Sequence, residues 1–153
     1  MHKENLKLKG HYTFTLEDIH TSEKQVFEYE NLITQKAWEM IANNFVSPTP
    51  TYSMLINKAV LGTGITAPAT SDTQLQTEVY RNNPASKSNL LNVASITAYF
   101  NATETSGTYR EAGLVVDGTG IINTGLLVSH VAINITKTTS QTLTLEWTLT
   151  VGT

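Results

Sequence analysis

The chain has 153 residues, a formal net charge of −3 and no cysteine. This length predicts a single domain with a core of its own. The negative charge provides no basic field for a polyanion, so we expect no nucleic-acid partner. The absence of cysteine excludes disulfide bonds, thiolate nucleophiles and sulfur-ligated zinc, and stability must therefore come from packing.

The N-terminus, MHKENLKLKG, is polar and charged where a secretory signal would be apolar, and no later apolar run reaches the length of a membrane span. We therefore expect a soluble protein that is made and used without Sec export and has no membrane partner. Residues 1–45 contain twelve of the 23 charged residues. The remainder is a low-charge, threonine-rich region whose β-branched side chains favour strands.

The first predicted element is a β-hairpin within residues 1–30, because Tyr12, Phe14 and Leu16 alternate with polar residues before a turn at residues 20–23. An α-helix follows at about residues 32–45, where apolar residues recur with a 3.6-residue period. Thr34 or Asn31 is available to cap its start.

The chain from Tyr52 onward predicts strands and turns. Alternation between apolar residues and threonine is clearest at the C-terminus, in TLTLEWTLTV. We expect one or two helical turns within Ser71–Tyr80 and a hairpin turn at Asp117-Gly118. The predicted strands are Met54–Leu61, Ala94–Ala102, Tyr109–Val116, Leu126–Thr136 and Leu143–Val151.

These elements predict a mainly β fold, an antiparallel β-sandwich or barrel with one main α-helix and an N-terminal β-hairpin. We expect one domain over residues 1–153, in which residues 1–30 form the hairpin as an extension and residues 31–153 form the helix and the sandwich.

Residues 62–67, GTGITA, match the G-x-G-x-x-A pattern of dinucleotide-binding turns. That site needs a helix that begins within the glycines, because the pyrophosphate binds to the amides at the N-terminus of this helix. Pro68 directly follows the pattern and disfavours helix at Ala67. We therefore expect no cofactor, and a turn whose glycines serve backbone conformation or close packing.

The sequence contains no recognisable catalytic or metal-binding motif. His2, His11, His20 and His130 share no metal-ligand spacing, and solvated or packed histidines are the simpler interpretation. Glu104, Arg110 and Glu111 flank a turn, where pairing across a hairpin would be structural. We expect no catalytic residues, no metal site and no enzymatic activity.

Several motifs in order give the chain a resemblance to a known family. The helix NLITQKAWEMIANNF precedes a strand, a GTG turn, a proline, the segment TQLQTEVYR and the hairpin YREAGLVVDG. This order resembles the N-terminal attachment domain of bacteriophage tail-collar fibre proteins and small virion proteins of tailed phages. The positions that match its motifs are Gly62, Gly64, Pro68, Glu78, Tyr80, Arg81, Arg110, Glu111, Gly113, Asp117 and Gly118.

The resemblance implies a virion structural protein of the tail, collar or baseplate that anchors fibres or neighbouring subunits. Its implied partners are other virion proteins and copies of itself, as a trimer or ring, and its implied location is the virion, assembled in the host bacterial cytoplasm. The sequence ends at Thr153 without a fibre shaft, so we expect either that a separate protein does the anchoring or that the same fold serves on the capsid or neck.

Two alternatives remain open. The protein is a capsid decoration or head-fibre base protein, or it is a carbohydrate-binding module that recognises the host surface. For the second alternative the candidate stacking residues are Tyr52, Tyr80 and Tyr109, which lie near predicted loops.

Overall fold

A computed structural model describes residues 6–152 of the chain. Over this range the protein forms nine strands and one helix. In chain order they are β1 (Lys7–Asp18), β2 (Lys24–Ile33), α1 (Gln35–Val46), β3 (Ile56–Gly62), β4 (Glu78–Asn82), β5 (Pro84–Leu90), β6 (Val93–Phe100), β7 (Gly107–Val116), β8 (Leu126–Lys137) and β9 (Gln141–Gly152).

The strands form one antiparallel sheet in the order β4-β3-β7-β8-β2-β1-β9-β6-β5. The predicted N-terminal hairpin is present, but β1 is not an extension of the domain. It lies between β2 and β9, and pairs with β9 from Lys7↔Gly152 to Asp18↔Gln141. This central position follows from its alternation, which buries Tyr12, Phe14 and Leu16.

The sheet curls into a nearly closed barrel, as the mainly β prediction anticipates. Strands β4 and β5 lie at opposite ends of the strand order but are joined through Asn83. Lys58 Nζ donates to Asn83 Oδ1 (2.5 Å), and Lys87 Nζ donates to the Ile56 carbonyl (3.2 Å). These contacts bring the two edges of the sheet together. On the other side β2 pairs with β8 only at Leu32 and Ile33.

The core fills the space between the two curved halves of the sheet. It consists of the inward-facing side chains of β1, β6 and β9 on one half and of β3, β7 and β8 on the other, as alternation in antiparallel strands dictates. Its largest buried apolar side chains are those of Tyr12, Phe14, Leu61, Phe100, Tyr109, Leu114, Ile135, Leu143, Leu145 and Trp147.

Helix α1 covers one end of this barrel. It begins three residues later than predicted, because Leu32 and Ile33 complete β2 by pairing with β8. Thr34 is the N-cap: its Oγ1 accepts a hydrogen bond from the Ala37 amide (3.3 Å) and donates to the Leu127 carbonyl (2.8 Å). Met40 is the buried residue of the helix and joins the core.

One local prediction is wrong, and two of the strands have no counterpart among the predicted ones. Residues 71–77 form turns and bends instead of helical turns, and the chain then enters β4. Strands β4 and β5 were not predicted, because β4 is short and β5, PASKSNL, is an exposed edge strand without an apolar stripe. The connection after β7 spans residues 117–125, as the predicted ends of the two flanking strands require, and it begins with Asp117 in a left-handed conformation (φ 52°).

Candidate functional site

The segment Thr63–Thr77, which contains most of the GTGITA motif, forms an Ω-loop. It leaves the end of β3 and returns to begin β4 directly beside it, and the Thr63 amide donates to the Thr77 carbonyl (3.0 Å). The loop lies against the outer face of the sheet, where Leu75 packs with Val60, Val115 and Leu127 in a second apolar cluster. Such loops are held by their own side-chain contacts.

Glu111 lies beneath this loop and binds it. Its neighbour Ala112 faces the core, so Glu111 points to the outer face of β7, yet the loop leaves it only 1 % exposed. Its carboxylate accepts hydrogen bonds from the amides of Gly64 (3.1 Å), Gln76 (3.0 Å) and Thr77 (2.7 Å). The second glycine of G-x-G-x-x-A therefore donates its amide to an anion of the same chain.

The glycines allow the loop to approach the sheet closely. A Cβ atom on Gly62 would lie 2.5 Å from Glu111 Oε1 and 2.7 Å from the Thr77 carbonyl oxygen. A Cβ atom on Gly64 would lie 2.5 Å from the same Oε1, and one on Gly113 would lie 2.6 Å from the Ser129 carbonyl oxygen. Of the two purposes proposed for the glycine turn, close packing is the one that the structure uses.

His130, on β8, completes the contact between loop and sheet. Its Nε2 lies 3.0 Å from Glu111 Oε2 and its Nδ1 lies 2.7 Å from Asp72 Oδ2, and the imidazole is 3 % exposed. A ring with an acceptor at each nitrogen satisfies both contacts only when both nitrogens carry a proton. The arrangement is therefore an imidazolium held between two carboxylates.

The pKa values of this cluster move in the directions that support that state. Burial acts to lower the pKa of His130, but the hydrogen bonds and charges of Glu111 and Asp72 outweigh it, and the net pKa is raised. Burial acts to raise the pKa of Glu111, but His130 and the three amide donors outweigh it, and the net pKa is lowered. Both shifts favour the charged form of the group concerned.

A second charged cluster, the Glu78–Arg81 clamp, lies beside the first. The two side chains are 2 % and 4 % exposed, and Arg81 binds both carboxylate oxygens of Glu78 at 2.5 and 2.7 Å. Arg81 also donates to the carbonyls of Thr119 (3.0 Å) and Thr124 (3.2 Å), and the Asn123 amide donates to Glu78 (3.0 Å). The clamp thereby fixes the long loop between β7 and β8.

The structure brings most of the predicted motif residues into these two clusters. Gly118 packs against the clamp, since its Cβ would lie 2.9 Å from Arg81 Nη1. Asp117 holds the same loop by accepting bonds from the Ser53 amide (2.9 Å) and hydroxyl (2.6 Å). Pro68 lies half-buried in the Ω-loop.

Other predicted residues lie apart. Arg110 is exposed, and within residues 6–152 it forms no ion pair with Glu104 or Glu111. Glu104 instead accepts hydrogen bonds from the Asn101 amide (2.7 Å) and the Asn82 side chain (3.3 Å). The predicted pairing across the hairpin is absent because Glu111 turns toward His130.

Sequence reasoning missed Asp72 and His130 as members of the site. They are 58 residues apart, and His130 lies 19 residues from Glu111, so no local spacing connects the three. The available signal was the position of His130 in LLVSHVAINITK, a strand with few other polar residues near it. A histidine there must find buried partners.

The three tyrosines proposed for sugar stacking lie in different environments. Tyr109 is 1 % exposed, and its hydroxyl bonds to Thr105 inside the fold. Tyr80 is half-buried, with its ring edge on to Phe100 at a centroid distance of 6.1 Å. Tyr52 alone lines an open cleft, of about 290 Å³, beside α1.

Within residues 6–152 no three His, Asp or Glu side chains are placed to hold a metal ion. In the same range, no helix has the length and apolar character needed to cross a membrane. No protein-family model matches the chain, and it has no match among curated proteins or among solved structures. The proposed function therefore rests on the motifs and on the geometry described above.

Proposed function

We propose that the protein is a structural component of a tailed-phage particle, in the tail, collar or baseplate, where it anchors fibres or neighbouring subunits. One observation carries this proposal. The motif residues that prompted the resemblance are distant in sequence, yet Gly62, Gly64 and Glu111 meet in one cluster and Glu78, Arg81 and Gly118 in another. Motifs that converge in this way support a shared architecture.

The chemistry of the clusters also supports a structural role. Glu111, Glu78 and Arg81 are buried and occupied by hydrogen bonds from the chain itself. A catalytic acid or base must instead reach a substrate. These charged side chains fix the Ω-loop and the loop between β7 and β8. A structural protein that contacts neighbouring subunits needs loops held in this way.

One end of the barrel presents apolar side chains that a neighbouring subunit would cover. The pairing registers place the starts of β1, β3, β6 and β8 and the ends of β2, β5, β7 and β9 at this end, together with α1. Exposed apolar side chains that gather at one end of a fold are typical of a surface that contacts another protein. The side chains concerned are Phe45 (86 % exposed), Val46 (81 %), Leu55 (58 %), Leu90 (76 %) and Leu91 (90 %).

The proposal is tested by particle location and by solution mass. Mass spectrometry of purified particles should detect the protein, and sedimentation of the isolated chain should give a trimer or ring. The substitution Leu91→Ser should lower the measured mass. The matched substitution Ile65→Ser, at an 85 % exposed residue of the Ω-loop, should not. A chain that stays monomeric at high concentration and is absent from the particle contradicts the proposal.

The capsid alternative places the same subunit on the head as a decoration or head-fibre base protein. Cryo-electron microscopy of the particle separates the two locations directly, because density for the barrel would lie on the capsid lattice instead of the tail or neck.

The carbohydrate-binding alternative now depends on Tyr52. Its ring lines the cleft beside Lys36, Glu39 and Asn43, which offer polar groups for sugar hydroxyls. A glycan array should show binding that Tyr52→Ala abolishes and that Tyr99→Ala, at a 45 % exposed tyrosine of β6, leaves intact. An array without binding removes this alternative.

A further inference from the structure

We infer that the protonated His130 imidazole is a latch that closes the outer part of the Ω-loop, Ile65–Asp72, onto the sheet, and that loss of its proton opens this part of the loop. The inference does not depend on the proposed phage function. It rests on a buried ring with a carboxylate at each nitrogen, one on the sheet and one on the loop.

Among the described residues 6–152, the charged groups that face the ring are the two carboxylates. Asp72 comes from the Ω-loop and Glu111 from β7, while β2 contacts this position through its backbone at Leu32 and contributes no charge. A neutral imidazole has one N–H and one lone pair. It can therefore donate to one carboxylate only, and its lone pair then faces the other, which is repulsive.

The latch has two arms, the His130–Glu111 contact and the His130–Asp72 contact. They differ in how easily water can replace the hydrogen bond that the neutral ring loses. The side chain of Glu111 is 1 % exposed and that of Asp72 is 26 % exposed. A cleft of about 220 Å³, lined by Asp72, His130 and the polar side chains of Gln74 and Gln76, reaches the Asp72 arm. The neutral ring therefore keeps its bond to Glu111 and releases Asp72.

The loop holds two further contacts that report on this opening. The Gln35 amide, at the start of α1, donates to the Thr70 carbonyl (2.7 Å), and the Thr66 amide donates to Gln76 Oε1 (2.9 Å). Both should break when Ile65–Asp72 moves away. The amides of Gly64 and Thr77 should remain protected, because Glu111 binds them independently of Asp72.

The sign of the pH dependence follows from linkage. The pKa of His130 is raised in the closed state by Glu111 and Asp72, and it falls in the open state, where the ring keeps Glu111 but loses Asp72. The latch is therefore complete below the open-state pKa and weakens as pH rises toward the closed-state pKa. Between the two pKa values the opening constant should rise up to about tenfold per pH unit, and it should level off above the raised pKa.

The test is hydrogen exchange by NMR on the full chain between about pH 5.5 and 9.5, corrected for intrinsic rates, with the His130 ring titrated in the same samples. We expect the opening constants at Gln35 and Thr66 to follow the profile above and to level off at the ring's titration midpoint. Opening constants that stay flat across this range in the wild-type protein overturn the inference.

Two variants sharpen the result. Asp72→Asn should lower the titration midpoint of His130 and remove most of the pH dependence at Gln35, because an amide can donate to the lone pair of the neutral ring. Asp18→Asn, at the last residue of β1, is the matched control and should leave the profile unchanged. An undiminished rise in Asp72→Asn overturns the inference, and the wild-type profile decides alone if this variant does not fold.

Discussion

Replacing Glu111 with glutamine should cost about 3–5 kcal/mol of unfolding free energy, the range for breaking a buried ion pair. The substitution preserves size and shape. One carboxylate oxygen accepts the amides of Gly64 and Thr77, and the other accepts the Gln76 amide and the His130 ring. The glutamine NH₂ must replace one of these oxygens, so at least one backbone amide loses its acceptor and faces a donor instead, and the His130 imidazolium loses its charged partner.

Urea denaturation at neutral pH measures this loss as a lower midpoint with an unchanged m-value. Glu28→Gln is the matched control, because the Glu28 side chain is 68 % exposed, and it should change stability by less than about 0.5 kcal/mol. A loss below about 1 kcal/mol in Glu111→Gln would refute the idea that this carboxylate holds the Ω-loop.

Glu111→Gln should also change how the stability of the protein declines at acid pH. The pKa of Glu111 is lowered from 4.5 in the folded state, so its contribution is complete above about pH 4.5 and is lost as pH falls through the lowered value. Glu111→Gln should therefore show a flatter decline in melting temperature below pH 4.5 than the wild type. Parallel acid limbs in the two proteins would contradict the assignment.

Two further substitutions test the packing around the site. Gly64→Ala should destabilise the protein by about 1–3 kcal/mol, because its Cβ would lie 2.5 Å from a buried carboxylate oxygen; Gly120→Ala, with no atom within 4 Å, is the control and should be near neutral. Arg81→Met should lower the free energy of unfolding by about 3–5 kcal/mol, because it leaves Glu78 buried without its partner. It should also speed amide exchange at Asn123. The control Arg110→Met, at an exposed position, should change neither the stability nor this exchange. Equal effects in variant and control would contradict either prediction.

Much of the fold could be predicted because it depends on local alternation. Leu143, Leu145 and Trp147 alternate with polar residues in sequence and face the core in β9. The period-3.6 pattern likewise placed α1 within three residues of its observed start. What failed was local structure that tertiary contacts decide, such as β5, which forms a strand because β6 offers it an edge and not because of its own composition.

The sequence by itself determined a mainly β chain with one helix, because side-chain periodicity is a local property that burial then enforces. It also excluded a helix after the GTG turn, because Pro68 follows directly. Only the tertiary structure decided what that turn serves. Glu111 and His130 lie on neighbouring strands and Asp72 on a loop folded over them, and this meeting depends on strand pairing between distant segments, which no local spacing records.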